Sequence, residues 1–159
     1  MRVLLFSDSH GNIHNMVNAV KRNKNIEMII HLGDCVSDIL KVQQLYGNMQ
    51  YELVQGNNDW PRGHSNEKCL EIEEKRIFIT HGHQYNVKND YQRIVNRGHA
   101  INADAVFFGH THEPEEFFSE GMLVLNPGSV GGVRSNSNKP TYCIVDITKD
   151  RVASRFYKV

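Results

Sequence analysis

Residues 3–11 read VLLFSDSHG, an apolar run that breaks into Ser7, Asp8, Ser9, His10 and Gly11. Such a run, closed by a carboxylate, an imidazole and a glycine, predicts a buried strand over residues 3–7 with metal-binding chemistry at its end. The same punctuation returns four times downstream. Residues 28–32 end in Gly33-Asp34, and residues 53–55 in Gly56-Asn57-Asn58-Asp59. Residues 77–80 end in His81-Gly82-His83, and residues 105–108 in Gly109-His110-Thr111-His112. In α/β sheets, ligands gather beyond the carboxyl ends of the strands, so side chains scattered in sequence can converge there. The neighbouring glycines permit the tight turns and close backbone approach that a strand-to-loop site requires.

Outward from these runs, residues 122–125, 142–147 and 152–157 read as further strands. Residues 13–21, 39–46 and 91–102 read as helices, the second following Ser37 as a candidate N-cap. Strands alternating with helices, then a strand-rich final third, predict an α/β protein with a partly mixed sheet. Periodicity alone leaves one open sheet and two stacked sheets equally open. At 159 residues, without an internal repeat or a Pro/Gly/Ser-rich linker, the chain is expected to form one domain over 1–159.

Composition narrows the function classes. Hydrophobic residues are 40% and charged residues 23%, ordinary for a globular protein. Lys plus Arg equals Asp plus Glu at 18 each, which argues against a broad nucleic-acid or anionic-lipid footprint and is compatible with a homo-oligomer. Three cysteines (Cys35, Cys69 and Cys143) without CxxC spacing suit a reducing compartment better than a disulfide framework. The opening MRVLLFSDSH has an apolar run far shorter than a signal core or a membrane span, so a cytoplasmic protein without membrane attachment is expected.

Imidazole mixed with carboxylate and amide oxygen suits Mn, Fe, Zn, Ni or Co, not a closed structural zinc site of Cys and His. Asp8, His10, Asp34, Asn57, His81, His110 and His112 are too many donors for one ion but divide sensibly between two. A carboxylate bridging cations about 3.5–4 Å apart would hold them at the spacing of two-metal hydrolysis. Each block alone is weak. Their weight lies in five polar punctuations, each at the same end of a predicted strand.

In these blocks the sequence resembles the calcineurin-like metallophosphoesterase superfamily, whose signature runs D-x-H, G-D, G-N-H/C-D, H and G-H-x-H. The length, and Asn126-Pro127-Gly128-Ser129 further on, resemble its small bacterial and archaeal phosphodiesterase subgroup. The resemblance implies two stacked mixed β-sheets, a β-sandwich, flanked by α-helices. It implies that Asp8, His10 and His112 bind one divalent ion, that Asn57, His81 and His110 bind a second, and that Asp34 bridges them. Manganese is the leading candidate, with Ni, Co, Fe, Zn and Mg as alternatives. The implied activity is hydrolysis of a small phosphodiester through in-line attack by a metal-bound hydroxide, with Asn57 and Asn58 also contacting substrate. A phosphodiesterase is favoured over a monoesterase by the subgroup resemblance alone. Asp59 would orient a ligand or neighbouring backbone, and His83 is a further candidate for the same cleft. Asn58 departs from the His or Cys usual at its position, and an amide cannot supply a proton to a leaving group at neutral pH. This predicts slow turnover or a preference for good leaving groups.

A different class, a protein-interaction scaffold, has a precedent on the same fold in the retromer's metallophosphoesterase-like subunit. The completeness of the seven donors favours the enzyme. A nuclease would be expected to show a basic groove or a capping domain, for which neutral charge and short length leave little room. The Gly-rich residues 128–134 could offer N–H groups and the Arg134 guanidinium to phosphate, but they lack a P-loop ending and read better as a flexible turn. Cys35 reads as a packed residue, His14, His31, His64 and His99 as structural or surface groups, and Trp60 as core or as a wall of a substrate pocket.

Overall fold

The computed structural model describes residues 1–60, 63–132 and 139–159. Strand β1 (Arg2–Phe6) shows why its apolar run is unbroken: Val3, Leu4, Leu5 and Phe6 all have no exposed surface. Val3 and Leu5 face one hydrophobic layer while Leu4 and Phe6 face another, as the two-residue period of a strand requires. A strand covered on both faces cannot alternate with polar residues.

β1 lies at the centre of the first sheet. Parallel to it run β2 (Met28–His31) and then β3 (Gln50–Leu53), with Leu5 opposite Ile30 and His31 opposite Leu53. On its other side β9 (Thr141–Ile147) pairs antiparallel, and β10 (Val152–Lys158) forms the edge. The second sheet has the order β4 (Glu67–Ile72), β5 (Lys75–Thr80), β6 (Ala105–Phe107), β8 (Met122–Pro127) and β7 (Pro114–Ser119). Its three central strands are parallel and both edges antiparallel.

The two sheets bury one shared layer that includes Leu5, Ile30, Ile79, Phe107, Leu125 and Val145. Helices α1 (Ile13–Arg22) and α2 (Val36–Leu45) cover the outer face of the first sheet, where Met16, Ile39 and Val42 meet Leu4, Phe6 and Ile29. Helix α3 (Gln92–Ala100) covers the second sheet, with Ile94 and Val95 against Phe78, Val106 and Val124. Gly98 makes this close approach available, since a Cβ there would lie 2.6 Å from both Met122 Sδ and Val106 Cγ2. The architecture is therefore the helix-flanked sandwich, not one open sheet. Among the described residues, no helix is long and apolar enough to cross a membrane.

Several elements differ from the sequence reading. The third strand lies at Gln50–Leu53, not at 53–55, because its first residues are exposed or half-exposed edge positions with little apolar signal. β4 and β7 were not expected. Both are charged edge strands, and β7 alternates exposed and half-buried residues along EEFFS. α2 begins at Val36 after Cys35 in the left-handed region, so Ser37 does not cap it.

Candidate metal centre

The parallel strands β1, β2, β5 and β6 deliver Asp8, Asp34, His81 and the His110–His112 turn to one place, and the β3 turn brings Asn58 to Asp34. Oxygen or ring-nitrogen atoms of Asp8, His10, Asp34 and His112 all lie within 4.8 Å of one another. His112 Nε2 is 3.1 Å from Asp8 Oδ1, and His10 Nε2 is 3.2 Å from His112 Nε2. His81 Nε2 lies 3.5 Å from Asp34 Oδ1 and 3.2 Å from His110 Nδ1. The histidines therefore meet as two pairs around two buried carboxylates.

Backbone conformation aims these groups. Asp8, His10, Asp34, His110 and His112 all adopt positive φ, between 45° and 71°. Left-handed backbone costs a non-glycine residue about 1–2 kcal/mol, and its concentration at one cluster is the pattern of a functional site held by its surroundings.

Those surroundings are specific. Asp59, buried behind Asp34, accepts from the backbone N–H groups of Asp34 at 2.9 Å, Val36 at 2.7 Å and Gly56 at 2.7 Å. Asp38, on the first turn of α2, accepts from Ser9 Oγ at 2.9 Å and Gly11 N–H at 2.7 Å, fixing the turn that carries His10. The Asn126 amide donates to the Gly109 carbonyl and to Thr111 Oγ1, bracing the turn of His110 and His112. Ser129 Oγ and Gly131 N–H donate to the Asp8 carbonyl, and Val130 N–H to that of Ser7. The glycine-rich segment is thus a brace for the end of β1, with these groups engaged; its Val133 and Arg134 lie outside the described residues.

Protonation follows from the same contacts. His81 Nδ1 lies 2.8 Å from the Leu32 carbonyl, which can only accept, so the proton sits on Nδ1 and the Nε2 lone pair faces the cluster. Asp8 Oδ2 accepts from Ser7 Oγ and from His110 N–H. Asp8 Oδ1 is buried and accepts no hydrogen bond, while Nε2 atoms of His112, His10 and His81 stand 3.1, 3.9 and 3.9 Å away. Burial opposes ionisation of Asp8, but His112, His81 and Ser7 outweigh it and hold its pKa at about 2. Burial, with His81 and Lys88 nearby, lowers His110 to about 4, whereas contact with Asp8 raises His112. A carboxylate anchored through Oδ2, whose buried Oδ1 has no donor and is ringed by imidazole nitrogens, offers lone pairs that fit a divalent cation.

Asn58 contacts Asp34 through both nitrogens, while Asn57 is exposed on the same turn. His83 opens a short 3₁₀ turn (His83–Tyr85), its ring 5.5 Å from that of His81 and 6.1 Å from that of His110. Cys35 is half-buried, Trp60 is 86% exposed and so not core, and His31 is fully buried beneath the site. Sequence reasoning missed Ser7 and Asp38. Ser7 donates to its chain neighbour Asp8, whereas Asp38 acts on Ser9 and Gly11, 29 and 27 positions away, and its one local sign is an acid in the first turn of α2.

Residues 1–150 match the family model described as the calcineurin-like phosphoesterase superfamily domain. The chain is 30% identical to the probable metallophosphoesterase YsnB of Bacillus subtilis, over 99% of this chain and 90% of that protein. It is also 30% identical to a phosphodiesterase of Methanocaldococcus jannaschii, over 94% and 95% of the two. The fold matches that of Vps29 complexed with Zn²⁺ from Entamoeba histolytica, with TM-score 0.83, 21% identity, and coverage of 100% and 98%. With a family match over nearly its whole length and these relatives, the chain belongs to the calcineurin-like phosphoesterase superfamily and is a metal-dependent phosphoesterase.

Proposed function

We propose that the protein is a phosphodiesterase that holds two divalent ions, one through Asp8, His10 and His112, the other through Asn57, His81 and His110, with Asp34 between them. The observation that carries this reading is Asp8 Oδ1, a buried acceptor without a donor, faced by three imidazole nitrogens. A second histidine pair, His81 with His110, stands against the other side of Asp34 and supports a second ion. Bound divalent ions supply Lewis acidity toward phosphoryl oxygens and lower the pKa of a bound water.

The chain's own residues prepare the site. Asp59 fixes the turn of Asp34, Leu32 fixes the His81 tautomer, and Asn58 presents an amide at the mouth that can donate to a phosphate oxygen but not protonate a leaving group. The phosphodiesterase name of the Methanocaldococcus relative favours a diester over a monoester. Free Cys35, Cys69 and Cys143 suit work in a reducing cytoplasm.

The test is hydrolysis of bis(p-nitrophenyl) phosphate and p-nitrophenyl phosphate by metal-free protein, with Mn, Ni, Co, Zn or Mg restored singly. Diester hydrolysis that appears only with metal, led by Mn and exceeding monoester hydrolysis, is the expected result. Activity that no metal restores would overturn the reading.

A further inference from the structure

Beside the metal centre lies a cavity of about 330 Å³, lined chiefly by Cys35, Val36, Leu40, Asn58, Asp59 and Trp60. Three of these tie it to the centre. Asn58 donates to both oxygens of Asp34, Asp59 accepts the Asp34 N–H, and Cys35 follows Asp34 in the chain. Of the three, the Asn58 side chain reaches the Asp34 carboxylate, so a group esterified on a phosphate at the metal centre enters this cavity where it extends past Asn58.

The wall is apolar where it counts. Trp60 is 86% exposed and Leu40 is 36% exposed, both large side chains presented to solvent, with Val36 and the Cys35 side chain beside them. An exposed indole contributes nothing to the core, and its apolar area gains by being covered with a flat partner. The ionisable groups among the described lining residues are Asp59, Cys35 and His64, and Asp59 is engaged with three backbone N–H groups. The lining so described holds no lysine or arginine for a second phosphate or a carboxylate. The volume falls within the lower range of ordinary small-molecule pockets.

We propose that this cavity is the subsite for one ester substituent, that the substituent is a planar aromatic ring system, nucleobase or aryl, and that Trp60 selects it by stacking. The proposal rests on the phosphoesterase reading above and narrows the substrate class for that site.

Trp60 is the only tryptophan in the chain, so its fluorescence reports this cavity alone. Zinc-loaded protein, in which the d¹⁰ ion has no redox chemistry, is titrated with methyl phosphate, phenyl phosphate and AMP by calorimetry and by fluorescence. Phenyl phosphate or AMP should bind about tenfold more tightly than methyl phosphate, and should change the indole emission, which methyl phosphate leaves unaltered. Trp60→Ala should abolish the preference while methyl phosphate binds within about twofold of the parent, and Trp60→Phe should restore most of it. Preference for AMP alone assigns a nucleobase, and preference for both ligands an aromatic ring in general. Equal binding of methyl phosphate and both aromatic ligands, or a preference that survives Trp60→Ala, overturns the subsite. Failure of all three ligands to bind zinc-loaded protein overturns the metal-centre reading with it, so the two failures are distinct.

Discussion

Asn58 grips both oxygens of Asp34: its backbone N–H donates to Oδ1 at 2.9 Å and its side-chain amide to Oδ2 at 2.6 Å. An amide in this position can steady a carboxylate or a phosphate oxygen, but it has no proton to give at neutral pH. Asn58→His should therefore raise turnover of diesters with poor, alkoxide-like leaving groups by about tenfold or more, with little change for p-nitrophenyl esters. The dependence of log kcat on leaving-group pKa reads this directly; an unchanged slope would contradict it.

Asp59 acts through backbone. Its carboxylate is buried and holds three N–H groups around the Asp34 turn. Asp59→Asn keeps the shape but turns an NH₂ toward groups that themselves donate. The expected cost is about 2–3 kcal/mol of stability, with metal affinity lowered about 10–100-fold. Urea unfolding and metal titration of the same variant measure both.

Two glycines crowd the carboxylates, and each forbids a side chain. A Cβ at Gly109 would lie 1.9 Å from Ser7 Oγ and 2.9 Å from Asp8 Oδ2, and one at Gly56 would lie 2.1 Å from Asp34 Oδ1. Gly109→Ala and Gly56→Ala should each displace a predicted ligand and reduce metal-dependent hydrolysis about 100-fold. The far-ultraviolet circular dichroism should stay that of a folded protein. A variant with parental activity would show that the carboxylate there is not needed in place.

The central strands and their polar ends were legible because a strand buried on both faces must be an unbroken apolar run, and a polar side chain at its end must interrupt it. Val3 to Phe6 followed by Asp8 shows both halves of that rule. The stacking of two sheets was not legible from periodicity, since Leu4 and Leu5 are equally apolar although they face different layers. Edge strands such as Pro114–Ser119 hid behind their charge, because solvent covers one side of them. The local blocks pointed to Asp8, Asp34 and the histidines. The groups that aim them were hidden because Asp38 reaches Ser9 across 29 positions and Ser129 reaches Asp8 across 121.

His31 gives the metal-free protein an acid limb. Burial lowers its pKa to about 4 against the opposing pull of Asp8, Asp59 and Asp38, and its Nδ1 accepts from Gly33 N–H at 3.2 Å. A folded-state pKa below the unfolded value of 6.5 means that the neutral form contributes stability above pH 6.5. That contribution is lost as the pH falls toward 4, and for the full shift it amounts to about 3 kcal/mol. His110 titrates in the same direction. Urea midpoints of metal-free protein should fall between pH 6.5 and 4, and His31→Gln should flatten the slope without abolishing it. An identical slope in the variant would assign the limb elsewhere.

The central claim is that one cluster holds two ions, and counting them tests it. Metal-free protein is titrated with Mn²⁺ while bound metal, diester hydrolysis and the electron paramagnetic resonance spectrum are followed together. The prediction is two Mn²⁺ per chain at saturation, with exchange coupling through Asp34 and turnover that rises as the second ion binds. His81→Ala should fold and retain one ion without turnover. Full activity with a single uncoupled ion, or hydrolysis without bound metal, would contradict the claim.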